Sequence, residues 1–304
     1  MFLEGIYAPI PTPFANDGTE EIAWGAYRDN LEKWNSSPLT GFVVAGSNGE
    51  MPFLDASERA ALTAVARKVA GEGKNRKKII TGTHFASVKH TAECNKMAAD
   101  AGADAVLLLP PHYFKGQGMP AVITYFEKTA DASPVPVVLY NMPGNTGVNM
   151  DAATIIHLSR HPNIIGIKDT AGDMTQLSYT ALANGPDFSV FCGSGNYLLS
   201  ALAVGVLGGT LAVANLYPGA CVRLCQAFDE NRMDEARDLQ GRIMKVSDAV
   251  TRRWGVPALK AAMDTIGLYG GPCRLPLLPL DEAIAGTVRN ILRESKLDQY
   301  EKWL

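Results

Sequence analysis

The chain has 304 residues, of which 47% are hydrophobic and 19% are charged, values that are ordinary for a globular protein with a sizeable core. Lysine and arginine number 28 against 31 aspartates and glutamates, which gives a formal net charge of −3. This balance provides neither a basic field for nucleic acid nor a polybasic patch for a membrane surface, and no apolar run approaches the roughly 20 residues of a membrane-spanning helix.

Eight short apolar runs alternate with longer amphipathic stretches. Runs rich in Val, Ile and Leu without polar alternation are typical of parallel strands that are buried on both faces. The stretches DASERAALTAVARKVA, SVKHTAECNKMAADAG and MPAVITYFEKTADA have the periodicity of helices, and the first opens with a capping box from Asp55 to Glu58. In chain order, the predicted strands are GIYAPIP, GFVVAG, KKIITGT, DAVLLLP, PVVLYN, IIGIK, FSVFCG and GGTLAVAN.

Eight such repeats by about residue 216 predict a closed α/β fold, the TIM (β/α)8 barrel. The alternative, an open nucleotide-binding sheet, would carry a glycine-rich phosphate loop after its first strand, but the sequence there reads IPTPFANDGT. From residue 217 onward we expect a chain that is helical throughout. We therefore predict a barrel over residues 1–216, followed over 217–304 by the last barrel helix and a C-terminal helical extension, packed as one structural unit.

The sixth predicted strand ends in Lys168, followed by Asp169. In such barrels, reactive groups lie at the carboxyl ends of the strands. A lysine that closes an apolar strand loses solvation of its ammonium group, which favours the free amine, and a free amine beside a bound carbonyl forms an imine. Alternatively, Lys168 pairs with Asp169 or another carboxylate and only stabilises the barrel.

The fifth predicted strand carries Tyr140 at its carboxyl end. Because strands five and six are neighbours in a parallel barrel, Tyr140 can face Lys168 across the barrel mouth. A phenol near an imine can carry protons to and from the hydroxyl group that is made or broken. A buried tyrosine can equally be a core residue whose hydroxyl is hydrogen-bonded.

The second predicted strand ends in a turn, Gly46-Ser47-Asn48-Gly49-Glu50. Two glycines around small polar residues can direct backbone N–H groups and hydroxyls inward, which suits a carboxylate, although the same pattern also occurs in ordinary loops. The five histidines have no metal-ligand spacing and no HxxE or HExxH pattern, so we predict no metal site and no cofactor.

Three motifs at these strand ends resemble the dihydrodipicolinate synthase and N-acetylneuraminate lyase family. They are GSNGE at 46–50, YNMPGNTG at 140–147 and GIKDTAGD at 166–173, and the match runs essentially the full length of the chain. The resemblance implies a barrel with a helical C-terminal extension, usually assembled as a tetramer of paired dimers, that acts on pyruvate or other 2-oxo acids.

The resemblance also implies roles for individual residues. Lys168 matches the Schiff-base lysine and Tyr140 matches the catalytic tyrosine. Ser47 and Asn48 match the pair that holds the substrate carboxylate and relays protons, and Tyr113 matches a tyrosine that reaches into the neighbouring subunit's site. Two further positions, after strands six and seven, match substrate contacts: Thr170 and Gly193.

The choice within the family depends on Asn145. In dihydrodipicolinate synthases this motif position supplies an arginine for the carboxylate of aspartate semialdehyde, and asparagine cannot form the same bidentate contact. GSNGE, HPNIIGIKD and AVTRRWGVPALKAAMD resemble 4-hydroxy-2-oxoglutarate aldolases, which implies cleavage to pyruvate and glyoxylate. A synthase or a 3-deoxy-2-oxo sugar acid aldolase is the alternative. His84 and His112 are candidate contacts for the distal part of the substrate, or surface histidines.

The five cysteines are scattered, odd in number and without a CxxC pair. This pattern favours a reduced, cytoplasmic protein. The N-terminal sequence MFLEGIYAPIPTPF lacks the basic flank and apolar stretch of a secretory signal, and it is not rich in Arg and Ser as a mitochondrial transit peptide is. We expect a small 2-oxo acid as the partner molecule, and neither nucleic acid nor a membrane.

Overall fold

The structure is a computed structural model that describes residues 3–73, 76–183 and 187–303. Eight parallel strands form a closed barrel in which each strand pairs with its neighbours in chain order and β8 returns to β1. The predicted TIM barrel is therefore confirmed. The strands are β1 (Gly5–Pro9), β2 (Gly41–Val44), β3 (Lys78–Gly82), β4 (Ala105–Leu108), β5 (Val137–Asn141), β6 (Ile164–Asp169), β7 (Ser189–Cys192) and β8 (Gly208–Thr210).

Helices follow the strands around the barrel and continue beyond it. The α-helices are α1 (Trp24–Asn35), α2 (Ala56–Ala70), α3 (Val88–Asp100), α4 (Gly118–Asp131), α5 (Pro143–Thr146), α6 (Ala152–Leu158), α7 (Met174–Ala183), α8 (Leu198–Ala203), α9 (Pro218–Asp229), α10 (Met233–Asp248), α11 (Gly255–Thr265) and α12 (Glu282–Ser295). A π-helical turn, Ala249–Arg253, joins α10 to α11. Among the described residues, no helix has both the length and the apolar character to cross a membrane.

The predicted capping box at the start of α2 is confirmed. The Asp55 carboxylate accepts a hydrogen bond from the Glu58 backbone N–H at 2.8 Å, and the Glu58 carboxylate accepts one from the Asp55 N–H at 3.0 Å. Two backbone donors at the helix start are thereby satisfied. The sequence signal identifies this helix start correctly because the interaction is local.

Two predicted elements are wrong in part. The eighth strand ends at Thr210, and residues Ala212–Asn215 form a 3-10 helix, in which the Asn215 side chain donates hydrogen bonds to the carbonyls of Pro9 and Ala212. The chain after residue 217 is not helical throughout, because no helix covers residues 266–281. Glycines and prolines are frequent in this segment, and they oppose helix formation.

The barrel encloses a layer of apolar side chains that is separate from the larger core between strands and helices. Tyr7 and Phe191 pack edge to face in this inner layer, with ring centroids 5.5 Å apart. Tyr140 belongs to the same layer and is 3% exposed. It therefore stands on the inner wall of the barrel, at the carboxyl end of β5.

The C-terminal segment contacts the turn that follows β2. Lys260 on α11 forms an ion pair with Glu50 at 2.5 Å, and the Arg274 backbone N–H donates to the same carboxylate at 2.9 Å. The Arg274 side chain also pairs with Glu58 at 2.6 Å. The end of the chain thus fixes both the turn after β2 and the start of α2.

Candidate active site

A cavity of about 650 Å³ opens at the carboxyl ends of the barrel strands, where reactive groups of this fold lie. Of the eight positions that the sequence predicts for the site, seven line this cavity. They come from the ends of different strands and from the loops that follow them, and they are Ser47, Asn48, Tyr140, Asn145, Lys168, Thr170 and Gly193.

Lys168 and Tyr140 are partners across the β5–β6 pair. The Lys168 Nζ lies 4.1 Å from the centroid of the Tyr140 ring, and the residue is 5% exposed. Within the described residues, Lys168 has no ion pair within 4.0 Å and no hydrogen-bonded side-chain partner. An amine that is buried without a counter-ion is available for reaction with a bound carbonyl.

Asp169 does not form an ion pair with Lys168. The alternative prediction, in which the two residues pair and only stabilise the barrel, is therefore wrong. The Asp169 carboxylate accepts hydrogen bonds from the side chains of Asn141 and Gln176 and from the backbone N–H of Ala171. Burial raises the pKa of the Asp169 carboxyl, and these hydrogen bonds oppose the rise. Asp169 therefore shapes the loop after β6.

The Tyr140 hydroxyl points toward the turn after β2. It lies 3.4 Å from the Ser47 Oγ and 2.7 Å from the Met142 Sδ. Because either hydroxyl of the Tyr140–Ser47 pair can donate, a proton can pass between them. This contact joins a candidate acid–base group to the predicted carboxylate-binding turn.

The turn from Gly46 to Glu50 is held by its own backbone. The Gly49 N–H donates to the Gly46 carbonyl at 3.0 Å, and Glu50 has a left-handed backbone with φ 59°. Thr12 also donates a hydrogen bond to the Gly49 carbonyl at 2.7 Å. The turn thus presents Ser47 and Asn48 to the cavity from a fixed backbone.

Among the described residues that line the cavity, three buried polar atoms have no hydrogen-bond partner: the Nδ2 of Asn48, the Oγ1 of Thr170 and the Oδ1 of Asn196. Buried polar groups without partners are costly, and they commonly mark sites that a ligand completes. Gly193 lies beside Thr170, since a Cβ at this position would lie 1.9 Å from the Thr170 Oγ1. Only glycine fits there without displacing Thr170.

Asn145 lies on the short helix α5 and lines the cavity. Its backbone N–H donates to the Met142 carbonyl at 3.1 Å. Its neutral amide offers single hydrogen bonds where a guanidinium would offer a charged fork.

Tyr113 is the predicted site residue that the chain does not bring to the cavity. It is 81% exposed and packs edge to face on Phe114, which is 78% exposed, with ring centroids 4.9 Å apart. A role in catalysis would therefore require a second subunit, and it remains a prediction.

His84 and His112 do not line the cavity around Lys168. His84 is buried, and its Nδ1 lies 3.0 Å from the Tyr125 hydroxyl, whereas His112 is exposed and stacks on His84 at 5.5 Å. Burial above all, together with the nearby charges of His112 and Arg59, lowers the pKa of His84 to about 3. The structure supports neither histidine as a contact for the distal substrate, and His84 is not a surface residue.

One wall of the cavity lies outside the strand ends and was not predicted from the sequence. Val250, Thr251 and Arg252 line it from the π-helical turn between α10 and α11. The one signal in the sequence is the motif TRRWG within residues 251–255. Its place beside the barrel mouth depends on how the C-terminal extension packs, which periodicity does not reveal.

Comparison with known proteins gives consistent matches along the chain. The sequence profile of the dihydrodipicolinate synthetase family matches residues 2–295. A probable 4-hydroxy-2-oxoglutarate aldolase, mitochondrial, of Emericella nidulans is 34% identical, covering 96% of this chain and 94% of its own. An L-threo-3-deoxy-hexylosonate aldolase of Hypocrea jecorina is also 34% identical, with 96% and 95% covered.

A dihydrodipicolinate synthase of Bacillus anthracis has a crystal structure that superimposes with a TM-score of 0.91 at 28% identity, covering 96% of this chain and 99% of that one. Aldolases and a synthase thus resemble the chain along nearly its whole length. The chain belongs to the dihydrodipicolinate synthetase family and is an aldolase or synthase of the pyruvate-dependent lyase type.

Proposed function

We propose that the protein is a class I aldolase that cleaves 4-hydroxy-2-oxoglutarate to pyruvate and glyoxylate through a Schiff base on Lys168. The observation that carries the proposal is the buried Lys168 amine, which has no counter-ion among the described residues and lies 4.1 Å from the Tyr140 ring. A carboxylate-binding turn at hydrogen-bond distance from the same tyrosine supports it.

The reaction begins when the Lys168 amine attacks the C2 ketone, and loss of water from the carbinolamine gives a protonated imine. Tyr140, which has given its own proton to the departing water, then takes the proton of the C4 hydroxyl, with Ser47 as relay. The C3–C4 bond then breaks, its electron pair moves into the imine to form an enamine, and glyoxylate leaves. Protonation of the enamine at C3 and hydrolysis of the imine release pyruvate and restore the amine.

The other cavity residues bind the substrate in this proposal. Ser47, Asn48 and Thr170 hold the C1 carboxylate, and the unpartnered polar atoms of Asn48 and Thr170 support this role. Gly193 leaves room beside Thr170. Asn145 contacts the distal part of the substrate.

Two alternatives to this proposal are a 4-hydroxy-tetrahydrodipicolinate synthase and a 3-deoxy-2-oxo sugar acid aldolase. The three reactions differ in the aldehyde that is released or consumed together with pyruvate. Asn145 favours an aldolase because the synthases place an arginine at this motif position. Side-by-side assays with 4-hydroxy-2-oxoglutarate, pyruvate plus aspartate semialdehyde, and 3-deoxy-2-oxo sugar acids rank the three. A large preference for aspartate semialdehyde would mean that Asn145 does not distinguish an aldolase from a synthase.

The central experiment is borohydride reduction in the presence of pyruvate, followed by peptide mass spectrometry. We expect a reduced adduct on Lys168 and no adduct and no turnover in Lys168→Ala. Lys128→Met, which removes an exposed lysine on α4 that does not line the cavity, is the control and should retain the adduct. Labelling at another lysine, or full activity in Lys168→Ala, would exclude the mechanism.

We further propose a homotetramer of paired dimers in which Tyr113 completes the neighbouring subunit's site, and a single structural unit formed by residues 1–216 and 217–304. The exposure of Tyr113 supports the first point. We also propose a cytoplasmic location, which the free thiols of all five cysteines support. Because the relative from Emericella nidulans is named mitochondrial, cell fractionation is the test.

A further inference from the structure

The wall of the cavity carries basic side chains and no acidic ones. Among the described residues that line the cavity, Lys168, whose imine with the substrate is cationic, and Arg252 are the basic side chains, and none carries a carboxylate. A concave site with charge of one sign concentrates ligands of the opposite sign. The cavity therefore suits a substrate that still carries an anionic group after the Lys168 amine and the polar turn have engaged its 2-oxo acid end.

Arg252 reaches the cavity from the C-terminal extension. It lies in the π-helical turn Ala249–Arg253, where the Trp254 N–H donates to the Ala249 carbonyl at 3.3 Å. Turns of this kind interrupt an α-helix, change which residues face a given side, and are frequent at functional sites. Here the turn brings Val250, Thr251 and Arg252 together at the cavity.

The two adjacent arginines of this turn differ in their contacts. The Arg253 Nε lies 3.7 Å from the Asp248 carboxylate, and its guanidinium group lies 4.9 Å from the centroid of the Trp254 ring. Arg252 is exposed and has no ion pair or hydrogen bond within the described part of the chain. Its guanidinium group is thus available to a ligand.

Arg252 also lines a second cavity. Arg252 and Arg253 both border it, together with Asp248 and Glu294. Of the two arginines, only Arg252 also lines the cavity that contains Lys168. The competing role for Arg252 is therefore a solvent-exposed ion pair with Glu294 or Asp248, which would contribute little to stability and nothing to substrate choice.

We propose that Arg252 forms a subsite for a second carboxylate of the substrate, at the end remote from the reactive ketone. This inference rests on the proposed aldolase function and specifies its substrate class as a 2-oxo dicarboxylate. A guanidinium group binds a carboxylate through two parallel hydrogen bonds. Asn145, the other candidate for the distal end, is uncharged and cannot replace it.

The test compares 4-hydroxy-2-oxoglutarate with 4-hydroxy-2-oxopentanoate, in which a methyl group replaces the distal carboxylate. In Arg252→Gln, kcat/KM for the dicarboxylate should fall about 10- to 100-fold relative to kcat/KM for the methyl analogue, as expected for one charge-assisted contact. Arg252→Lys should recover part of this ratio. Arg253→Gln is the matched control and should leave the ratio unchanged.

A binding measurement separates the subsite from the proposed reaction. Borohydride trapping on Lys168 with 2-oxoglutarate or 2-oxopentanoate reports imine formation and requires no bond cleavage. Arg252→Gln should raise the half-saturating concentration for 2-oxoglutarate about 10-fold or more and leave that for 2-oxopentanoate unchanged.

Three results would overturn one claim or the other. Equal losses for both ligands, or no loss for either, exclude the subsite while trapping on Lys168 still supports the Schiff base. If Arg252→Gln weakens trapping of 2-oxoglutarate only, the subsite is supported. If, in addition, neither the unaltered protein nor any variant cleaves 4-hydroxy-2-oxoglutarate, the proposed reaction is excluded. A selectivity change in Arg253→Gln that matches Arg252→Gln would show a general charge effect.

Discussion

The Tyr140 ring gives the Lys168 nitrogen an unusual environment. The nitrogen lies over the ring at 4.1 Å, and the residue as a whole is 5% exposed. An aromatic face attracts a cation by about 0.5–2 kcal/mol, and the protonated imine carries its positive charge on this same nitrogen. Tyr140 can therefore act twice, through its ring on the imine and through its hydroxyl on the substrate proton.

Tyr140→Phe separates these two roles because it keeps the ring and removes the hydroxyl. Imine formation with pyruvate should persist, whereas turnover should fall on the order of 10²–10⁴-fold, the usual contribution of a general acid–base group. Single-turnover kinetics and borohydride trapping measure the two steps. Tyr27→Phe removes a buried hydroxyl on α1 and is the control. Unchanged turnover in Tyr140→Phe would assign the proton transfer to another group.

Gly193 packs so closely against Thr170 that a larger residue does not fit at this position. A Cβ at this position would lie 1.9 Å from the Thr170 Oγ1, whereas a Cβ on Gly144, which also lines the cavity, would meet nothing within 4 Å. Gly193→Ala should therefore displace Thr170 and raise KM about tenfold, as expected for the loss of one hydrogen bond to the charged C1 carboxylate. Gly144→Ala is the matched control. Equal KM values for both variants would contradict a role for Thr170 in binding.

At the scale of elements, the turn after β2 depends on a distant helix. Glu50 ends the GSNGE motif, and its carboxylate is paired with Lys260 on α11, with side-chain exposures of 0% and 2%. Lys260 also donates a hydrogen bond to the Pro272 carbonyl at 2.7 Å. The pair joins the barrel mouth to the C-terminal extension and holds the backbone that presents Ser47 and Asn48.

Lys260→Met leaves the Glu50 carboxylate buried without its partner. We expect a loss of about 3–5 kcal/mol in the free energy of unfolding, because breaking a buried pair leaves an uncompensated charge. Removing both charges in Glu50→Gln/Lys260→Met should recover part of this loss. Urea denaturation measures the change, and Lys128→Met, which breaks a pair exposed by more than half, should cost less than about 1 kcal/mol. A similar small loss in Lys260→Met would mean that Glu50 finds another partner.

The sequence predicts which strand-end residues lie close together for a physical reason. Parallel strands in a barrel place their carboxyl ends on one face, so Lys168, Tyr140 and Ser47 are brought together by strand order alone. Arg252 could not be found in this way because its position depends on the packing of a helical extension against the barrel. The π-helical turn likewise has no signal in apolar periodicity.

At the scale of the whole molecule, a buried histidine makes stability depend on pH. The His84 ring is enclosed near Tyr125, His112 and Arg59, and burial is the main cause that lowers its pKa from 6.5 to about 3. The unfolded chain therefore takes up a proton between these pH values while the folded chain does not. Acid then favours the unfolded chain.

The free energy of unfolding should accordingly fall as pH decreases from 6.5 to 3, with a contribution from His84 on the order of 1.4 kcal/mol per pH unit. His84→Asn keeps a polar side chain near Tyr125 and should flatten the curve in this range. Chemical denaturation at a series of pH values measures the slope. The exposed His90 provides the control, and an equal effect of His90→Asn would show that burial is not the cause.

The exposed aromatic pair after β4 is a candidate contact between subunits. Tyr113 and Phe114 expose most of their surface in the single chain, and large exposed aromatic groups commonly mark interfaces. If Tyr113 completes the neighbouring subunit's site, a mixture of two inactive chains should regain activity. A Lys168→Ala chain still supplies Tyr113, and a Tyr113→Phe chain still supplies Lys168. We therefore expect each variant alone to lose activity and the co-refolded mixture to recover a fraction of it.

Sedimentation of the same samples decides what the recovery means. Mixed oligomers with recovered activity support a site shared between subunits, whereas mixed oligomers without recovery exclude it, because the two intact groups then never meet. Tyr179→Phe, which alters a tyrosine that is 65% exposed on α7, should be active alone and is the control for loss of a surface hydroxyl. A monomeric chain with full activity would contradict both the assembly and the role of Tyr113, since the structure keeps this residue outside its own chain's cavity.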